Sequence, residues 1–222
     1  MRAGVAAAAV WLSPALEPGD DAVASWAART LAGLGAGADA LCVATLDSGA
    51  RESVHFWRES RAELAFANPR AFPWTLANSP TGRIAQELGV RGPTFTLVGR
   101  AEALHAALAH ALDELESGRA GRVLVAALDG VTTETTRLAA LVLTADEDAE
   151  LARVSTLARP AEGAVGGATA SETLAAAIER LGAGEAAAVG SDRDGWFELR
   201  PSEPDGGVRN GVLRPAARVR SG

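Results

Sequence analysis

The side chains here that could bind a metal, relay a proton or attack a carbonyl are few: one cysteine, Cys42, and three histidines, His55, His105 and His110. Their spacing limits what they can do. His105 and His110 stand five apart on one helical pattern, whereas two histidines sharing a metal on a helix stand at i and i+4. His55 has no second ligand near it in sequence and reads as solvated. Cys42 lies inside the apolar run Ala40–Leu46 (ALCVATL), where a thiol behaves as a small apolar side chain. A reactive thiol needs exposure and an electropositive setting, and a lone cysteine builds neither a disulfide framework nor a Cys-based zinc site. Ser79, Ser155 and Ser171 are available as nucleophiles, but none stands in a G-x-S-x-G context. Gly33, Gly35 and Gly37 alternate as in a nucleotide-binding loop, yet they follow a helical pattern and lead into a strand, the reverse of that motif. They read as a helix cap and turn. The expectation is a chain with no metal site, no bound cofactor and no catalytic pair of its own.

The elements that would position any site centre on Gly92–Gly130. Thr94–Val98 is a short β-branched and aromatic run after Gly92-Pro93, which predicts a strand. Gly99 and Arg100 form a tight corner. Leu104, Ala107, Leu108, Ala111, Leu112 and Leu115 then recur at the spacing of one buried helical stripe, and Gly118 and Gly121 close that helix. Val123–Leu128 is continuously apolar, as a strand covered on both faces should be. A strand, corner, helix and strand in this order is an α/β unit whose corner often presents a nucleophile. Here the corner reads Gly99, Arg100, Ala101, Glu102, without cysteine or serine.

The run NSPTGRIAQELGVRGPTFTLV, with the following helix and RVLVAALDG, resembles the amino-terminal half of β-ketoacyl synthases, of the thiolase-like fold. The likeness spans Ala40 to Thr144 and is most specific at Gly82–Ile84, Gly89–Pro93 and Gly121–Gly130. In that family a Gly-Pro strand leads into an elbow carrying the acyl-accepting cysteine. Counted from Gly92-Pro93 the cysteine position falls on Ala101; counted from the helix it falls on Arg100. Neither accepts an acyl group. The family's second half supplies two histidines, one in a Gly-His segment; the nearest match, Val165–Ser171 (VGGATAS), has none, and no histidine follows His110.

The resemblance therefore implies a truncated thiolase-like α/β fold: one complete βαβ-rich half and a remnant of the second. It also implies a silent subunit of the chain length factor kind, forming a heterodimer with an active ketosynthase in polyketide or polyene assembly. An acyl carrier protein would be met through that complex. In the family the strand matching Thr94, Phe95, Thr96, Leu97 and Val98 pairs across the dimer axis, and the segment matching Ala71–Ser79 lies beside the acyl tunnel. That makes Phe72, Trp74 and Leu76 tunnel-lining candidates; the alternative for this segment is a core-packing loop. Two other functions stay open at this point, a stand-alone thioester-binding homodimer and a small acyltransferase or hydrolase with a non-cysteine nucleophile.

Length and composition agree with a globular chain. At 222 residues and 48% hydrophobic the sequence supports one sizeable core. A net charge of −7 disfavours nucleic acid and anionic membrane as partners, no apolar run is long enough to span a bilayer, and the lone cysteine suits a reducing cytoplasm. Met1-Arg2 before GVAAAAVWL has the outline of a weak signal peptide, but Gly4–Leu12 reads better as a first core strand.

Elsewhere, periodicity predicts helices over Asp20–Leu34, Glu52–Ala67, Pro80–Leu88 and Thr169–Leu181. Strands are predicted over Leu138–Thr144 and Ala152–Leu157, with a hairpin from Ala186–Val189 to Trp196–Leu199. On the predicted helix over Glu52–Ala67, Val54, Trp57, Arg61, Leu64 and Ala65 fall along one face, and Asn68-Pro69 stops it. Residues 1–200 form a single ketosynthase-like domain, and 201–222, rich in Pro, Gly and Arg, is expected to be a tail outside it.

Overall fold

A computed structural model describes residues 2–14, 22–62, 68–129, 135–146, 151–157, 163–191, 193–202 and 214–218. One mixed sheet organises them, in the spatial order β3-β2-β4-β5-β1-β6-β8-β7. Its strands are β1 (Arg2–Pro14), β2 (Ala40–Thr45), β3 (Thr94–Val98), β4 (Arg122–Asp129), β5 (Thr135–Thr144), β6 (Ala152–Leu157), β7 (Ala187–Ser191) and β8 (Gly195–Pro201). The helices are α1 (Ala22–Leu31), α2 (Ala50–Ala62), α3 (Ser79–Leu88), α4 (Ala101–Glu116) and α5 (Ala170–Gly182), with one 3-10 turn over Phe72–Thr75.

β2, β3 and β4 run parallel, with β2 in the middle, and β5 returns antiparallel to β4. β1 is the longest strand and joins the two parts of the sheet. One edge pairs with β5 from Gly4 to Pro14, and the other takes β6 along Arg2–Val5. The run GVAAAAVWL is thus a core strand at the seam of the fold.

The apolar pattern of each strand follows from what covers it. β4 has no polar face because both faces are packed. Val123, Val125 and Ala127 join a core with Cys42, Leu141 and Leu143, while Leu124, Ala126 and Leu128 join a second core with Leu41 and Val43. α1 and α3 close the second core through Val23, Trp26, Leu31 and Ile84. In the first core, α4 contributes Leu104, Leu108 and Leu112, and α5 contributes Leu174, Ile178 and Leu181. Val154, Val189, Phe197 and Leu199 of β6, β7 and β8 pack on the far side of the same two helices. α4 and α5 are therefore enclosed between the first five strands and the last three. Complete burial of each leucine is worth about 1.5–3 kcal/mol, so these two helices lock the remnant to the complete half.

The outward face of the remnant is suited to water. Arg153, Ser155, Glu198 and Arg200 lie there by register, with Arg153 and Arg200 exposed. Glu198 is bound by the Arg200 guanidinium at 3.0 Å. No second helical layer covers this face among the described residues.

The face of α2 that carries Val54 and Trp57 stays open: α2 buries no residue, and Val54 and Trp57 are 47% and 56% exposed. Arg61 lies over the Trp57 ring at 5.1 Å. Leu64 and Ala65 fall outside the described residues, as do Asp20 and Asp21 ahead of α1. Within 201–222, read from the sequence as a tail, Arg214–Arg218 forms a strand, β9, parallel to β1. β6 leaves the edge of β1 open beyond Val5, and β9 takes the stretch from Ala9 to Leu12. β9 pairs with no other strand, and Pro215 falls at a shift in its register, the edge and irregular setting in which a strand tolerates proline.

Candidate functional site

The carboxyl ends of β2, β3 and β4 converge with the amino termini of α4 and α5, and this is where a site would be built. β3 runs into α4 through Gly99 and Arg100. The Gly99 amide donates to the Thr45 carbonyl at 2.9 Å, which seats the corner on the end of β2. Arg100 caps α4, its own amide donating to Glu102 Oε1 at 3.1 Å, and its side chain is exposed. Ala101 is the first helical residue. Before the strand, Gly92 is required, because a Cβ there would collide with the Asp39 carbonyl oxygen. The corner has the shape that presents a reactive side chain, but it offers a guanidinium and a methyl group.

Among the described residues β3 is an edge strand, paired only with β2. The Leu41 amide donates to Pro93 O and the Gly99 amide to Thr45 O, which brackets the parallel ladder. Alternation between those two bonds assigns the amides of Phe95 and Leu97 to β2. The amides of Thr94, Thr96 and Val98 therefore point to the open edge. Phe95 and Leu97 pack inward, Thr96 shares a 2.7 Å hydroxyl contact with Thr81 of α3, and Val98 is 63% exposed.

Between α2 and α3 lies an exposed apolar group. Phe72 is 54% and Leu76 49% exposed, while Trp74 is half-buried. Phe72 meets Phe56 of α2 edge-on at 5.9 Å, and the Ser79 hydroxyl donates to the Pro73 carbonyl. Neither Phe72 nor Leu76 enters either core, while Ala71 is buried.

The chain matches no family model and no curated protein. Among solved structures it resembles the ketosynthase ApeO in complex with its chain length factor ApeC from Xenorhabdus doucetiae. That likeness has a TM-score of 0.60 at 13% identity and covers 90% of this chain and 100% of that one. The ishigamide ketosynthase/chain length factor aligns with a TM-score of 0.57 at 17% identity, over 72% of this chain and 71% of that one. The fold is thiolase-like.

In this thiolase-like frame the remaining candidates have structural surroundings. Cys42 is fully buried, and burial, with the Glu114 charge as a smaller contribution, pushes its thiol up to about 12. It should resist iodoacetamide at pH 8 in the native chain and react fully once denatured; labelling followed by intact-mass measurement checks this. His110 stacks on Phe95 at 4.8 Å and His105 on Phe197 at 4.7 Å, where burial lowers the His105 imidazole below its usual range. His55 pairs with Glu59 at 3.2 Å on an exposed helix surface. Ser171 is fully buried. The described residues hold no group of three or more His, Cys, Asp or Glu side chains that could bind a metal, and no described helix is long and apolar enough to cross a membrane.

One residue of this region escaped the sequence reading as a functional candidate. Asp129 ends β4, is 2% exposed, and accepts from the Leu46 amide through Oδ1 at 2.6 Å and from the Ser171 amide through Oδ2 at 2.7 Å. Burial raises its carboxyl above the ordinary range; the two amides oppose that rise, and the Asp47 charge adds to it. A carboxyl raised in the fold contributes stability below its unfolded value, which is lost as pH rises through the folded one. The melting temperature of the native chain relative to Asp129→Asn should therefore fall as pH rises above the ordinary aspartate range. A difference that grew in favour of aspartate with rising pH would reverse that sign. The signal in the sequence was a single acid closing an otherwise apolar strand.

Proposed function

We propose that this chain is a non-catalytic subunit of the chain length factor kind, which pairs with an active ketosynthase and shapes its acyl tunnel in polyketide or polyene assembly. The observation that carries the reading is the corner at Gly99–Ala101. It retains the strand-to-helix geometry but puts Arg100 and Ala101 where a nucleophile would stand, directly beside an open, partly apolar sheet edge. With no thiol to accept an acyl group and no histidine pair to activate a carboxylated extender, decarboxylation and condensation belong to the partner. This subunit supplies Thr94–Val98 to the interface and Phe72, Trp74 and Leu76 to the tunnel wall. An acyl carrier protein reaches the pair through the ketosynthase.

The hydrolase or acyltransferase reading loses support from the serines, since Ser171 is buried and Ser79 is bonded to a backbone carbonyl. The purified chain, given acyl and malonyl carrier protein, should yield no ketoacyl product, and adding a cysteine-bearing ketosynthase that copurifies with it should yield product. Turnover by the chain alone would defeat the proposal. Good behaviour as a homodimer, with no gain on coexpression with a ketosynthase, would favour the stand-alone thioester-binding reading instead.

A further inference from the structure

We propose that Asp129 is a positioning residue, a two-acceptor tether whose carboxylate fixes the end of β2, and with it the departure of α2, to the start of α5. Each oxygen accepts from one backbone amide, with the Ser171 hydroxyl a further donor to the carboxylate, and the two amides belong to elements distant in sequence, 83 residues back to Leu46 and 42 forward to Ser171. Arg137 stands opposite Asp129 on β5 but pairs with Glu172 at 3.2 Å. Glu172 in turn accepts the Ala168 amide, while Thr169 caps the Glu172 amide, so the α5 start has its own capping bonds. The Arg137–Glu172 pair joins that helix start to β5, and the Asp129 carboxylate adds the link to the end of β2.

The consequence lies on the other side of the tether. α2 buries no residue, so its own packing does not hold it against the core. Its position derives from the turn after Leu46 and from the neighbouring 3-10 turn. Gly49, at a φ of 78°, lies so close to Thr75 that a Cβ would stand 2.7 Å from the Thr75 oxygen, and the Ser53 hydroxyl donates to the same carbonyl at 3.1 Å. Moving Leu46 would therefore shift α2 and Phe72–Thr75 together. The tether stands whether or not that surface meets a ketosynthase.

Acceptor count supplies the test. Aspartate has an acceptor for both amides, asparagine has one carbonyl oxygen and turns an NH₂ toward the other amide, and alanine has none. Residue-level hydrogen exchange by NMR on the full chain should show Leu46 and Ser171 both protected in the native protein. Asp129→Asn should lose about tenfold in protection at one of the two amides, and Asp129→Ala at both. The α2 and Phe72–Thr75 amides should loosen whenever Leu46 does, while the β4–β5 ladder keeps its protection. The proposal is overturned if both amides stay protected in both variants, if asparagine and alanine lose the same pair, or if the loss spreads evenly through the ladder. Should the alanine variant fail to fold, the asparagine variant decides alone, because a one-sided loss is expected from it and from no general weakening.

Discussion

Thr96→Pro should leave this chain folded and abolish the proposed complex with a ketosynthase. The Thr96 amide points away from β2, so proline removes no bond of the parallel ladder and takes a donor only from the open edge. Across a paired edge the same change leaves a carbonyl of the partner buried without its donor, a cost of about 1–3 kcal/mol, and the proline ring holds the facing strand away from the neighbouring bonds. An obligate interface of this kind buries roughly 2,000 Å² or more, and the central strand pair sets the register for all of it. Circular dichroism should show near-native structure, and size-exclusion chromatography should show the two proteins eluting apart. Thr96→Val is the control, because it removes the hydroxyl contact with Thr81 but keeps the amide. Phe95→Pro should behave differently, breaking a bond to β2 and destabilising the monomer itself. A Thr96→Pro complex that elutes unchanged would place the interface elsewhere.

How far the sequence revealed this arrangement depended on whether a residue's neighbours were local. The α4 stripe and the unbroken apolar runs of β4 and β5 were legible because burial leaves a period that any core would impose. Thr94–Val98 was legible to the residue because Gly-Pro and Gly-Arg punctuate both ends. The α2 face carries the same kind of period, yet nothing in this chain covers it among the described residues. Val54 and Trp57 form an apolar stripe whether it meets this chain's core or a second protein, and amphipathicity does not say which. β9 was missed for a related reason, since its partner is an open stretch of β1 about two hundred residues away. At the candidate site the corner residues Gly99–Ala101 could be read from local punctuation, but the Asp129 bonds join β4 to the end of β2 and to α5, and sequence order conceals that meeting.

The exposed stripe leads to the second large effect. Trp74→Ala should let the reconstituted pair assemble normally and release products at least one two-carbon unit longer. The two cores of this chain close without Phe72, Trp74 or Leu76, so truncating one of them should cost the monomer little, and the effect should appear in what the interface holds. A chain growing along that interface stops where a bulky side chain fills the path, and closely packed walls do not give way to admit two more carbons. Removing the indole opens that space. Each buried CH₂ is worth about 0.8 kcal/mol, so a two-carbon extension gains about 1.6 kcal/mol, enough to move most of the product distribution. Trp74 is the stronger candidate because it is half-buried within this chain and therefore held in place. Phe72, more exposed but braced against Phe56, comes next. Mass spectrometry of products from the two alanine variants separates them. If both variants assemble normally and leave product length untouched, the segment only covers the interface, and the stop lies on the ketosynthase side.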